Sequence, residues 1–248
     1  MGLEVLRKDN FRHLVQRLKT YKDQDARLLE VGAAHGWFLS EAGKVFEVMG
    51  VEPDQAVFDH SDQRDRMRFG YFPDALEADE RFDIIVFNDV FEHIPDLTSV
   101  LNACHSHLTD NGLLLINLPS SSGLFYRLSR TLQCAGLAAS FERLWQKDMP
   151  SPHVHYFSPD NLDQLVSRFG FTELERGALP TLRLKGLATR ISYAGERGRV
   201  ANAALTLAVA SAIPLLRVLP KDITYSIYQK SDRARSMQPQ SRLDGDRQ

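Results

Sequence analysis

The stretch Leu28-Leu29-Glu30-Val31-Gly32-Ala33-Ala34-His35-Gly36-Trp37-Phe38-Leu39 constrains the fold more than any other part of the chain. An apolar run broken by glycine predicts a buried strand, a tight turn, and a helix that opens at Gly36. Glycine carries no Cβ and tolerates positive φ, so a ligand can approach the backbone there. The N–H groups of the helix start then face whatever sits above the strand. A dinucleotide-binding turn has the order G-x-G-x-x-G, with the third glycine where helix and strand pack closely. Counting from Gly32, Trp37 holds that place, which counts against a nicotinamide oxidoreductase. The order here, an acid two residues before Gly32 and a glycine four after it, is a different loop.

A chain of 248 residues allows one large α/β domain with an elaboration, or two small domains. Its 43% hydrophobic and 25% charged residues are those of a globular protein with a core. The net charge of −2 gives no general basic field, so no nucleic-acid partner is expected. Cys104 and Cys134 define neither a disulfide framework nor a CxxC site, and a reducing cytoplasm is the expected location. Met1 to Tyr21 has a mixed-charge amphipathic pattern rather than that of a secretory signal.

Leu3, Leu6, Phe11, Leu14, Val15 and Leu18 recur at helical spacing and predict an N-terminal helix over residues 1–24, covering core or a ligand mouth. A second strand, Phe46 to Val51, ends at Glu52-Pro53-Asp54. Glu52 stands about 20 residues beyond Gly32, where an acid at a strand tip can accept hydrogen bonds from a ribose diol. The plainer possibility is a surface carboxylate. A polar helix over Asp54–Arg66, a third strand at Met67–Phe72 and a nearly all-apolar fourth strand at Phe82–Asn88 follow. Asn88-Asp89-Val90-Phe91-Glu92-His93-Ile94-Pro95-Asp96 then lies at the carboxyl end of that strand, where open α/β sheets bind ligands. Pro95 can start a helix to about Leu108, and Leu113–Leu118 is a fifth strand stopped by Pro119. Such alternation predicts a doubly wound parallel sheet.

Taken together, these pieces resemble a class I S-adenosylmethionine-dependent methyltransferase, of the small-molecule group that includes ubiquinone and glycan methyltransferases. The segments that carry the resemblance are Glu30–Gly36, Val51–Asp54, Phe82-Asp83, Asn88–Asp96, Gly112–Pro119 and His153-Val154-His155-Tyr156-Phe157-Ser158-Pro159. The resemblance implies a Rossmann-like seven-stranded sheet of order 3-2-1-4-5-7-6 with a helical cap, and S-adenosyl-L-methionine as cofactor. It implies that Glu30 and the loop Gly32, Ala33, Ala34 and Gly36 hold the methionine end, and Glu52 with Pro53 the ribose. Tyr71 and Phe72 would flank adenine, and Asn88 with Asp89 would place the methionine part or sulfonium. Two departures stand out: Ala34 where the commonest pattern has glycine, and Tyr71-Phe72 where many relatives carry an acid.

The implied reaction is methyl transfer to a small molecule, at a hydroxyl of a metabolite, glycan or lipid-linked intermediate. The alternative is a non-catalytic protein that binds the same cofactor for regulation or scaffolding. A hydroxyl acceptor gains from a general base, and His93, His153 and His155 are the candidates. His153 and His155 share a face if their stretch is extended. His-x-His without a nearby third ligand falls short of a zinc signature, so no metal is expected. The stretch could equally tether the helix that follows, with Ser158 as N-cap and Pro159 at N1.

Substrate choice is assigned to two helical cap insertions, at about 121–149 and 186–219, within a catalytic domain spanning 25–230. The first carries an apolar stripe from Leu124 to Trp145 with interleaved arginines, suited to a lid or a homodimer contact. The second contains the charge-free Val200–Leu216, flanked by Arg199 and Arg217, suited to core packing or peripheral membrane contact. Ile223–Gln229 is expected as a last, antiparallel edge strand, and residues 231–248 as a disordered tail.

Overall fold

The computed structural model describes residues 2–147, 150–181, 202 and 219–231. Helix α1 (Gly2–Leu18) precedes β1 (Arg27–Val31), α2 (Trp37–Ala42), β2 (Glu47–Glu52), α3 (Gln55–Asp59) and β3 (Met67–Phe69). Then come β4 (Phe82–Asn88), α4 (Leu97–His107), β5 (Leu108–Pro119), α5 (Leu124–Cys134) and α6 (Ala139–Leu144). The chain closes with α7 (Pro159–Ser167), β6 (Phe171–Leu179) and β7 (Ile223–Lys230). The seven strands form one sheet in the order β3-β2-β1-β4-β5-β7-β6, as the family resemblance implies.

Strands β1 to β5 pair in parallel, and β7 runs antiparallel to both β5 and β6. The central strands are apolar almost throughout because both faces are covered. Alternate residues go to opposite sides. Leu29, Ile85, Phe87, Leu114 and Ile116 pack with Leu101 of α4 and Val166 of α7. Leu28, Ile84, Val86, Leu113 and Leu115 pack with Leu14 and Leu18 of α1 and Phe38 of α2. Helix α1 therefore covers core along its second half.

Several boundaries differ from the sequence expectation. The polar helix over Asp54–Arg66 is only α3 and a 3-10 turn at Arg64–Arg66. Asp54 caps α3 by accepting from Ala56 N and Val57 N, and Ser61 Oγ accepts from Gln63 N, so short polar side chains compete for the backbone. The third strand stops at Phe69, and α4 begins at Leu97 rather than Pro95, because Asp96 accepts from Ser99 N as its N-cap. Ile223–Lys230 is antiparallel but lies inside the sheet; β6, which the sequence reading left without a strand, is the edge. Ser158 and Pro159 start α7 as expected, with Ser158 Oγ accepting from Asn161 N.

The first insertion forms α5 and α6, and Phe125, Leu128 and Leu137 on it are exposed. Apart from Asn202, the Val200–Leu216 stretch lies outside the described residues, as does the tail beyond Ser231. Among the described residues no helix is long and apolar enough to cross a membrane.

Candidate active site

Between β1 and β4 the chain reverses its direction of travel across the sheet, and the carboxyl ends of these strands open a crevice there. Gly32 follows β1 with φ of 70°, and a Cβ on it would stand 2.6 Å from Val90 Cγ2. Glycine is required at that position by both conformation and space. Gly36 has φ of 71° as N-cap of α2, but a Cβ there would meet Gln63 rather than the crevice. Ala34 takes φ of 46°, an alanine in glycine's region. Its N–H donates to Glu52 Oε2 at 2.8 Å, while Gly32 N and Ala33 N both donate to Val51 O. These loop N–H groups thus serve β2, and the loop offers a ligand close backbone approach rather than those free donors.

Glu52 is buried at the tip of β2, its other oxygen accepting from Asp54 N at 2.9 Å. Two backbone N–H groups fix this carboxylate, and each oxygen keeps a further lone pair. Glu30 is buried at the end of β1, where its Oε1 accepts from Asn88 Nδ2 at 2.9 Å. Asn88 Oδ1 in turn accepts from Asn117 Nδ2 of β5 at 3.3 Å. Glu30 Oε2 meets no donor. Burial pushes the Glu30 carboxyl up to about 8, with the Asn88 bond opposing.

A cavity of about 550 Å³ opens over these strand ends. Gly32, Ala34, Glu52, Pro53, Asn88 and Asp89 all line it, as do His93 and His153. Helix α1 supplies a wall through Leu6, Arg7, Asn10 and Phe11, so it covers a ligand mouth as well as core. Arg7 Nη2 meets Asp89 Oδ2 at 2.8 Å across the opening. Burial raises the Asp89 carboxyl, and Arg7 pulls it back down.

The far side of the cavity centres on Glu92, whose carboxyl is 1% exposed and has no hydrogen-bond partner on either oxygen. Burial, with Asp89 adding repulsion, pushes it up to about 8. His93 Nδ1 lies 2.9 Å from Pro152 O, which can only accept, so that nitrogen carries the hydrogen and Nε2 the lone pair. The His153 ring stands 4.6 Å from that of His93, and burial holds it down at about 4. His155 does not share this face. Val154 N and His155 N both donate to Glu92 O, so the segment is not extended, and the His155 ring packs against Phe157. Tyr71 is exposed and Phe72 packs on Phe87 and His107, so neither lines the cavity.

A family model described as a methyltransferase domain matches residues 5–175. The chain belongs to that methyltransferase family. With its sheet order it is a class I S-adenosyl-L-methionine-dependent methyltransferase. The mitochondrial ubiquinone biosynthesis O-methyltransferase of Bos taurus is 26% identical over 160 residues, covering 59% of this chain and 41% of the relative. The ubiquinone biosynthesis O-methyltransferase of Rhodopseudomonas palustris is 22% identical over 161 residues, 62% of this chain and 61% of the relative. The match thus spans less than two thirds of the length of these relatives. The cyclopropane synthase of Mycobacterium tuberculosis shares the fold at a TM-score of 0.61 and 17% identity, over 88% of this chain and 82% of the other. A SAM-dependent methyltransferase of Archaeoglobus fulgidus does so at 0.57 and 16%, over 92% and 97%.

The methyltransferase's cofactor is S-adenosyl-L-methionine, and the crevice suits it on its own chemistry. Glu30 Oε2, buried and unpartnered, lines a pocket with Arg7, Ala34 and Asn88, where a cationic amino group would complete it. Glu52 keeps lone pairs for a diol. Arg7, Asn117, Gln146 and Glu92 also line the cavity, beyond the site residues expected from the sequence. For Asn117 a signal existed: it lies near the carboxyl end of β5, directly opposite Asn88 on the neighbouring strand.

Proposed function

We propose that the methyltransferase acts on the hydroxyl oxygen of a small molecule: a metabolite, a glycan or a lipid-linked intermediate. The observation that carries this is the single cavity joining Gly32, Glu52 and Asn88 to His93 and His153. Leu6, Phe11, Val90, Leu179 and Ile223 add apolar lining, suited to an acceptor with an apolar body and few polar groups. The likeness to ubiquinone biosynthesis O-methyltransferases supports oxygen as the methylated atom.

The cofactor, when bound, supplies an electrophilic methyl group on a sulfonium, so the protein's task is alignment. Glu52 and Glu30 fix the two ends of the cofactor in this scheme, and Asn88 holds Glu30 in place. The His93 ring is oriented by the Pro152 carbonyl, and its Nε2 lone pair receives the acceptor hydroxyl. His153 stands beside it as a neutral imidazole, and α1 screens the site from water. His155 has no direct part.

The test is a panel of hydroxylated acceptors, phenols and lipid-linked alcohols included, assayed for S-adenosylhomocysteine formed together with an equal amount of methyl ether. Tight S-adenosylhomocysteine binding without turnover on any acceptor would favour the non-catalytic binding protein instead. Methylation only at nitrogen or carbon would move the reaction off oxygen while keeping the cavity.

A further inference from the structure

Neither oxygen of the buried Glu92 meets a donor, although its carboxyl is 1% exposed. Leaving such a group unpaired is costly, and a cation is one of the few partners that satisfies it. His153 Nε2 lies 3.9 Å from Glu92 Oε1. One ligand atom each from Glu92, His93 and His153 lies within 4.8 Å of the other two. Among the described residues no other group of His, Cys, Asp and Glu comes together in this way.

We propose that Glu92, His93 and His153 bind a divalent cation of the zinc type, whose remaining position takes the oxygen of the methyl acceptor. This rests on the assignment of the cavity to O-methylation. Two imidazoles and one carboxylate, with a fourth position for water or substrate, are the donor set of a catalytic zinc site. The surroundings match. Pro152 O at 2.9 Å and Ser151 Oγ at 3.2 Å hold His93 Nδ1, which fixes the ring and leaves Nε2 to bind. The Glu92 carbonyl accepts from Val154 N and His155 N, which ties the loop bearing His153 to the carboxylate it must meet. Asp89 also lines the cavity, but Arg7 already neutralises it.

A tetrahedral ion with bonds of ~2.0–2.2 Å sets its ligand atoms about 3.3–3.6 Å apart, so the three atoms, within 4.8 Å of one another before binding, draw together around it. Gln146 Nε2, 3.1 Å from His153 Nε2, is the contact a cation displaces. A hydroxyl bound in the fourth position loses its proton more readily. Its O–H bond breaks, the pair stays on oxygen, and the proton leaves to water. With the cation bound, the His93 Nε2 lone pair is taken up by the metal, so this route replaces direct proton transfer to His93, and both histidines act on the acceptor through the cation.

The test begins with the full chain stripped by EDTA and titrated with Co2+. One equivalent should produce the visible absorption of a four-coordinate ion, and Zn2+ should abolish it by displacement. Glu92→Gln, His93→Ala and His153→Ala should each weaken Co2+ and Zn2+ binding at least ~10-fold, the loss that even an outer partner causes. Cys134→Ser, at an exposed thiol, should change nothing. Thermal melts identify any variant that fails to fold, and His153→Ala carries the test if Glu92→Gln is lost. No stoichiometric uptake, or uptake that the three variants leave intact, overturns the site. Stoichiometric uptake together with S-adenosylhomocysteine binding, but no methyl ether from any acceptor, keeps the cation site and overturns O-methylation.

Discussion

The two sides of the cavity satisfy their polar groups to different degrees. On the cofactor side, Gly32 N and Ala33 N close on Val51 O, Ala34 N and Asp54 N close on Glu52, and Asn88 closes on Glu30 Oε1, leaving Glu30 Oε2 open for a ligand. On the acceptor side, both oxygens of Glu92 and His153 Nδ1 are buried without a partner. The first side sits on the ends of parallel strands, which fix backbone positions before any ligand arrives. The second is carried by the short turn at Phe91–His93 and by residues 150–158, which lie in no helix or named strand. A cofactor of fixed shape is met by a preformed loop. The acceptor side keeps unspent bonding capacity, which its ligands complete.

If this division holds, Glu52→Ala should show the largest effect, on cofactor binding rather than on turnover at saturating cofactor, with some stability lost because Ala34 N and Asp54 N lose their acceptor. Charge-assisted hydrogen bonds are each worth about 1.5–3 kcal/mol, so S-adenosylhomocysteine should bind ~10- to 100-fold more weakly by calorimetry on the folded variant. His153→Ala should leave that affinity intact while lowering turnover; the reverse pattern would dissolve the distinction between the two sides. Gly32→Ala comes next. Its Cβ would stand 2.6 Å from Val90 Cγ2 at a φ of 70°, so roughly 1–3 kcal/mol of stability should be lost in chemical denaturation.

A smaller effect concerns the clamp of α1 over both sides. Glu175 of β6 accepts from Arg17 Nε, Arg17 Nη2, Tyr21 and Tyr225, and chiefly the Arg17 bonds hold its carboxyl down at about 2. A depressed carboxylate contributes its full stability above the ordinary value of 4.5 and loses it as pH falls toward 2. Limited proteolysis should therefore cut near α1 more readily across that window, and Glu175→Gln should flatten the dependence. Ala34→Gly is expected to matter least. Relief of the left-handed alanine and the added freedom of the unfolded chain nearly cancel, leaving a change within about 1 kcal/mol in either direction, measurable by denaturation. A large gain would mean that Ala34 strains the loop.

What could be read from the sequence follows the same division. Phe82–Asn88 and Leu113–Leu118 announce themselves because a central parallel strand is apolar on both faces. Glu30, Gly32 and Glu52 are legible because their positions on the βαβ unit fix their surroundings. Phe171–Leu179 was not legible: Glu173, Glu175 and Arg176 interrupt it, and they make sense only once Arg17, Tyr225, Ser226 and Asp160 stand opposite. His155 was misplaced because alternation was assumed where two successive N–H groups share one carbonyl. Glu92 and His153 are distant in sequence, and nothing local in either announces that they meet.

Asn88 imposes a rule on how this site can vary over generations. Its amide has two unlike ends, a donor turned to Glu30 and an acceptor turned to Asn117. An aspartate of the same outline would set carboxyl against carboxyl at the first contact and forfeit the donor. A leucine would strand both neighbours. Glu30, Asn88 and Asn117, on three adjacent strands, therefore form one unit in which a change at one position should be accommodated only by a matching change at the others.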